Sequence, residues 1–500
     1  MMLKKLLSAL LVTALLMGGA ATAFAEEETQ TPAPSESAQP SESTDPSQSQ
    51  APNASEEPTQ TPSDTVQPLA ADKVTAEAAL LIDATTQKVL YEKNADTKMY
   101  PASTTKILTA LVALKHGNLD DTCTVTNEAL MAVEPDAKKM GFLEDEKVTL
   151  RDLLYSLLMQ SDADAATTIA VHVGGSVEKF VEMMNQECEA LGLKNSHFTN
   201  PVGMHNENLY TTCNDLAKIV LEARKYEEFM TIVSTYKYTI SPTNKNENGY
   251  TLVNANRLVS ADTTDPYRYE YCTGGKTGYT EAAQHTLVEM AQRDKGEGNM
   301  QDLIAIVFKD TKDGKWSSCI NMLNYGFTNY STVNLTQLLS RKTVEVEVDG
   351  AAPDDALAGK LELGIPSTDQ NAQIVTEPQG KVQSILTGID KLKIDYKLDT
   401  EPLTAPVAEG EKVGTVTYTL DGEVLLKSDL VAMRSVKAEK SLVVPGDTQE
   451  DEKEQRPLMW WIWLIPIALL VPIVAVVTIR RRRRLRRRRS SKYYTYRRRL

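Results

Sequence analysis

From Leu150 to Leu191, apolar residues recur at intervals of three and four, the spacing of helical faces turned to a core. "TLRDLLYSLLMQ" places Thr149 ahead of this run as an N-cap, and "DADAATTIAVHV" and "SVEKFVEMMNQECEAL" carry the pattern onward. Upstream, "AALLIDATTQKVLYEKN" reads as two strands joined at Thr-Thr-Gln, followed by a helix beginning near Ser103. Around Gly274 the period changes to two. "HTLVEMAQR" and "DLIAIVFKD" predict strands, and a helix over about Ser317 to Gly326 closes the unit. Strands, then helices, then strands predict an α+β domain over residues 71–335, with a helical block packed on an antiparallel sheet.

A second alternating region covers residues 340–438. "KTVEVEVDG", "KLKIDYKLD" and "VGTVTYTLDGEVLL" have period two, the last broken by a Leu420-Asp421-Gly422-Glu423 hairpin turn. They predict a small all-β, sandwich-like domain. Residues 26–70 are mostly Ser, Pro, Thr, Gln and Glu, a spacer unable to bury a core. Residues 1–25 join Lys4 and Lys5 to an apolar stretch and Ala23-Phe24-Ala25, the pattern of a secretory signal peptide. After an acidic stalk at 439–457, residues 458–479 form a run of 22 without a charge, long enough for a transmembrane helix.

Charge sets the orientation. Trp460, Trp461 and Trp463 stand at the leading edge of the apolar run, where indoles favour the membrane interface. Residues 480–500 carry 13 Lys or Arg and no acid. The positive-inside bias therefore predicts a single-pass protein of the cell membrane, with a cytoplasmic C-terminus and the folded domains outside. A basic tail also suits nucleic acid, but directly behind an apolar span it suits anionic lipid better. Setting aside signal and tail leaves 39 Lys and Arg against 68 Asp and Glu, an external charge near −29 that repels nucleic acid. Five scattered cysteines without a C-x-x-C, and five histidines without an H-E-x-x-H, indicate neither a disulfide scaffold nor a metal site, and no cofactor is implied.

"PASTTKILTALVAL" sets Ser103 three positions before Lys106. On a helix that spacing puts both side chains on one face. A serine hydroxyl becomes a nucleophile when a base takes its proton, and lysine can serve if desolvation or a second cation keeps it neutral. An ordinary surface pair fits the same residues, and the spacing recurs at Ser176/Lys179 and Ser234/Lys237. "TGGKTGYTEAAQHTLVEMA" supplies Lys276, Thr277 and Gly278, where an ammonium and a hydroxyl suit a carboxylate. The glycines allow an extended peptide to approach a strand edge, although a surface turn also fits. A phosphate-binding loop does not, because Glu270 stands five before Gly275 and a strand follows rather than a helix. Between these stretches, "LLMQSDADAATTIA" holds Ser161-x-x-Asp164, which by itself is a capping-box pattern.

Taken together, Ser103-x-x-Lys106, a serine-led motif at Ser161 and Lys276-Thr277-Gly278 before a strand resemble the penicillin-recognising serine enzymes. "YPASTTKILTALVAL", "LRDLLYSLLMQSDADAA", "LGLKNSHFTNPVGMHNENLYTT" and "GGKTGYTEAAQHTLV" narrow the likeness to low-molecular-mass penicillin-binding proteins, the serine-type D-alanyl-D-alanine carboxypeptidases. "LTAPVAEGEKVGTVTYTLDGEVL" is similar to their C-terminal domain. The resemblance implies a penicillin-binding, β-lactamase-like fold. It also implies removal of the terminal D-alanine from peptidoglycan stem peptides through an acyl-enzyme that β-lactam antibiotics trap. Ser103 is then the nucleophile, Lys106 the base and Ser161 the proton relay. Lys276 and Thr277, with Gly278, form the carboxylate site, and the Ser103 and Tyr279 N–H groups form the oxyanion hole.

One position departs from the family pattern, whose middle motif is Ser-x-Asn before Asp-Ala. Ala163 stands where an amide would orient Lys106 and bind a substrate carbonyl, and Asp162 is the nearest substitute. Lys312 and Lys315 are candidates for a basic residue that assists carboxylate binding. The Ala163 departure motivates a rival reading, a catalytically impaired wall-binding scaffold. A serine β-lactamase is disfavoured by the β-domain and the anchor.

Overall fold

The apolar run "AALLID" forms a strand, Ala78–Asp83, in which every residue is buried, because the sheet it enters is covered on both faces. The computed structural model describes residues 65–296, 299–366 and 372–439. Five antiparallel strands lie in the order Val89–Lys93, Ala78–Asp83, Met300–Asp310, Gln284–Asp294 and Cys272–Thr280. Side chains alternate between the two faces. Leu80, Ile82, Met290, Ile304 and Ile306 join the helical block, whereas Leu81, Leu287, Leu303 and Val307 pack with Trp316, Met322 and Phe327 of the Gly314–Asn329 helix. The outcome is an α+β arrangement with the sheet as its middle layer.

At the centre of the block runs the Lys106–His116 helix. Its residues from Lys106 to Ala113 are all buried, as expected of a helix enclosed on every side. A 3-10 turn, Ala102–Thr105, precedes it, so Ser103 sits just outside the α-helix rather than at its first turn.

The predicted helical run downstream of Leu150 is interrupted where the chemistry lies. Thr149 caps the Leu150–Tyr155 helix by accepting from the Asp152 amide, as its sequence position suggests. A π-type turn, Ser156–Gln160, follows, and Ser161 is left-handed at φ 61°. The next helix, Ala163–Gly174, is capped by Asp162, which accepts from the amides of Asp164 and Ala165. The capping role suggested for Ser161 therefore belongs to its neighbour, and the Ser161 hydroxyl is available for other work.

The second unit contains a five-stranded antiparallel sheet in the order Val344–Glu347, Lys360–Gly364, Glu423–Ala432, Lys412–Leu420 and Lys393–Leu398. Asp421 and Gly422 both take positive φ, 47° and 87°, as a tight hairpin requires. The unit is not all-β. A helix, Gln379–Gly388, buries Val382 and Ile385 in the same core as Val416 and Leu420. With two buried apolar residues in ten, its periodicity is too weak to stand out in the sequence.

Among the described residues, no helix is long and apolar enough to cross a membrane. The segments read as signal peptide, transmembrane helix and basic tail lie outside the described residues, as do nearly all of the spacer and stalk. The fold makes one direct prediction. Leu111 is fully buried in the central helix, so Leu111→Ala should destabilise the protein by about 3 kcal/mol. Urea unfolding of the full-length chain should show a lower midpoint with an unchanged slope.

Candidate active site

Between Pro101 and Ala113, Ser103 alone is not buried. The preceding residue, Ala102, has φ 49°, an uncommon conformation for a residue with a β-carbon. Its neighbours impose it. The Pro101 carbonyl accepts from the Thr104 hydroxyl at 2.7 Å and the Thr286 hydroxyl at 3.2 Å. The Ala102 carbonyl lies so close to Gly203 that a Cβ there would approach it to 1.9 Å. Gly203 also has φ 85°, so two requirements select glycine at that position.

The Lys106 Nζ lies 3.2 Å from Ser103 Oγ and donates to the Val202 carbonyl at 2.7 Å. That carbonyl is held by Asn200, whose Oδ1 accepts from the amides of Val202, Gly203 and Met204. Burial lowers the Lys106 pKa to about 7; the Asp162 charge opposes the shift and the Lys138 charge reinforces it. A large fraction of Lys106 is therefore neutral near pH 7, with a lone pair facing the serine.

A second pair stands opposite. Lys276 Nζ is 3.0 Å from Ser161 Oγ and donates to the Thr277 carbonyl at 2.7 Å. Burial holds its pKa well below the lysine range, and the charges of Lys106, Lys138 and Lys315 press it further down. Lys276-Thr277-Gly278 lies in the Cys272–Thr280 strand at the edge of the sheet. A Cβ on Gly278 would come within 2.3 Å of Thr286 Oγ1 and 3.0 Å of the Ser103 nitrogen. Glycine thus lets the strand edge lie flush with the Ser103 turn.

These elements enclose a cleft of about 970 Å³ lined by Ser103, Lys106, Ser161, Thr277, Gly278 and Tyr279. Lys276 is not among its lining residues and meets the cleft through Ser161. Lys315 lines the cleft; Lys312 does not. The Lys315 ammonium is 3.3 Å from His285 Nδ1, and the His285 ring lies 4.5 Å from that of Tyr279.

Asp162 does not replace the absent amide. It is fully buried, and its oxygens accept from the Ser156 hydroxyl and from the amides of Met140, Asp164 and Ala165. Burial raises its pKa to about 6 despite these bonds. The other S-x-x-K spacings do local structural work. Ser176 caps the Val177–Ala190 helix, and Ser234 donates to the Thr231 carbonyl. All five cysteines are free thiols, with Cys272 donating to Glu289 at 2.7 Å. Sequence reasoning passed over the Val202 carbonyl, the Asn200 hook, His285 and Lys138. Of these, only Asn-Pro-x-Gly at 200–203 announces itself, as a turn.

Comparison with known proteins identifies relatives of this chain. A family model for D-alanyl-D-alanine carboxypeptidases matches residues 64–312, and one for the C-terminal domain of penicillin-binding protein 5 matches residues 386–438. A D-alanyl-D-alanine carboxypeptidase of Bacillus subtilis is 30% identical over 367 residues, covering 72% of this chain and 86% of the relative. One from Escherichia coli K12 is 29% identical, covering 73% and 84%. The crystal structure of penicillin-binding protein 5 from Haemophilus influenzae superposes with a TM-score of 0.54 at 29% identity, covering 75% of this chain and all of that one.

The turn at Asp162 can be tested by stability alone. Asp162→Ala strands the Ser156 hydroxyl and three amides, so a loss of about 2–4 kcal/mol is expected. Thermal unfolding should report it, and Asp162→Asn, which keeps one acceptor oxygen, should lose less.

Proposed function

The chain belongs to the D-alanyl-D-alanine carboxypeptidase family, and on that premise we propose a course for its reaction with peptidoglycan stem peptides. Neutral Lys106 takes the Ser103 proton as Oγ attacks the carbonyl carbon of the penultimate D-alanine. The resulting oxyanion lies toward the N–H groups of Ser103 and Tyr279, and each such donor is worth roughly 3–4 kcal/mol of barrier. Collapse breaks the C–N bond. The departing amine of the terminal D-alanine takes a proton through Ser161, which Lys276 holds in place. Water then hydrolyses the Ser103 ester, releasing the shortened stem and restoring the hydroxyl. A β-lactam enters the same first step and leaves a longer-lived ester.

The observation that carries this reading is the 3.2 Å contact between Ser103 and a buried lysine whose pKa is lowered to about 7. The carboxylate of the terminal D-alanine falls to Thr277 and Lys315, both on the cleft wall, through a hydroxyl and an ammonium. The apolar run at 458–479 and the basic tail support attachment to the cell membrane, with the catalytic domain outside. Against a non-catalytic scaffold stands the intact serine–lysine pair.

Three measurements test the proposal. Ser103→Ala should abolish both D-alanine release from a D-Ala-D-Ala-ended peptide and covalent uptake of labelled penicillin; retention of either removes Ser103 as nucleophile. In the wild-type protein, kcat/KM should rise about tenfold per pH unit below 7 and level off above it, because the neutral form of Lys106 fills as pH increases. In the third, Lys315→Ala should lower kcat/KM by about 10–100-fold on a free-carboxylate peptide. It should have little effect on the same peptide ending in an amide, and Lys312→Ala should affect neither.

A further inference from the structure

The turn that carries Ser161 is bonded along one side to residues 138–141. The Ala163 amide donates to the Lys138 carbonyl at 2.9 Å, the Met140 amide to Asp162 at 3.0 Å, and the Gly141 amide to Asp164 at 2.9 Å. These three bonds fix Lys138 beside residue 163, where the chain has a methyl group and no polar side chain. Lys138 lines the cleft together with Ser103, Lys106 and Ser161.

Its side chain is steadied there. Lys138 Nζ donates to Gln160 Oε1 at 3.0 Å, and the Gln160 amide nitrogen donates to the Val253 carbonyl. Gln160 is thus oriented with its oxygen toward the lysine. An ammonium has three N–H donors, and Gln160 accepts from one. Although the residue is exposed overall, its charge is felt by both buried lysines. Asp162 is committed to the turn, whereas Lys138 is bonded to residue 163 through its backbone carbonyl and keeps its ammonium on the Gln160 side of the cleft.

We propose that Lys138 is a substrate-binding residue of this site, donating to the peptide carbonyl of the stem that reaches the space beside Ala163. The proposal rests on the carboxypeptidase reading and deepens it. Lys106 is oriented instead by the Val202 carbonyl, so the two tasks expected of one amide are divided between two groups. A charged donor also makes a stronger bond to a carbonyl than an amide does, which suits a side chain reaching in from an exposed loop.

The test uses the full-length chain, a D-Ala-D-Ala-ended peptide and a fluorescent penicillin. Lys138→Ala should lower kcat/KM for the peptide by about 30-fold, with a melting temperature close to that of the wild type. Lys138→Gln, which keeps an N–H donor, should stay within about fivefold of wild type. Adding Ala163→Asn to Lys138→Ala should recover about tenfold, because it restores a donor at the same place. The proposal is overturned if Lys138→Ala stays within about threefold of an active wild type, or if Lys138→Gln is as impaired as Lys138→Ala. It also falls if Lys138→Ala moves only the acid limb of the pH profile and leaves the plateau unchanged, since Lys138 would then act on Lys106 rather than on substrate. If the wild type releases no D-alanine, the carboxypeptidase reading fails instead. Lys138 is then judged by the same criteria from the rates of penicillin acylation.

Discussion

Two lysine amines enclosed by the core, each against a serine oxygen, are the constraint around which the catalytic domain is built. A charged ammonium removed from water loses solvation worth several kcal/mol unless an anion compensates. Here the bonded partners are neutral oxygens, Ser103 and Val202 for Lys106, and Ser161 and Thr277 for Lys276. The two lysines also repel each other. Both effects favour the neutral amine, and a neutral amine is what can accept a serine proton. The surrounding apolar packing therefore does chemical work: the same burial that makes these positions unfavourable for a cation supplies the base.

Holding such a centre requires backbone conformations that local propensity does not favour. Ala102 and Ser161 both stand in the left-handed region without being glycine, typically a penalty of order 1 kcal/mol or more each. Each is over-determined by its surroundings. The Ala102 turn is trapped between the Thr286 hydroxyl and Gly203, and the Ser161 turn between the π-type turn before it and the Asp162 cap after it. Both strained residues adjoin or carry the hydroxyls the mechanism uses. The strained backbone turns two serines toward one cleft from elements that run in different directions.

The sequence made part of this legible, for identifiable reasons. Ser103 and Lys106 are three apart, and a 3-10 turn preserves that proximity about as well as an α-helix, so the pair survived an error in where the helix begins. The sheet strands were readable because alternation and unbroken apolar runs follow directly from one-sided and two-sided burial. Ser161 was harder. Ser161-x-x-Asp164 and Asp162-x-x-Ala165 compete as caps, and only the left-handed φ of Ser161 decides between them. Lys138 carried no local signal at all, since its place is set by hydrogen bonds to residues more than twenty positions away. The Gln379–Gly388 helix was missed for a third reason: its packing on the second sheet, rather than its own periodicity, stabilises it.

The second unit is joined to the catalytic sheet at the end away from the cleft. Thr86 and Thr376 share a hydrogen bond, Lys88 donates to the Thr376 carbonyl and Glu377, and Asp83 accepts from the Thr86 hydroxyl. Through the sheet register Asp83 pairs with Leu303, Leu303 with Ala291 and Ala291 with Cys272. Tyr279, at the other end of that last strand, pairs with His285, and His285 with Asp310. Tyr279 lies seven residue steps along the strand from Cys272, a span of about 23 Å at roughly 3.3 Å per step. The joint and the chemistry thus occupy opposite ends of one sheet whose centre is buried on both faces. A load applied at the joint meets close-packed strands before it reaches Ser103, so the second unit can hold the catalytic domain without entering the geometry of its site.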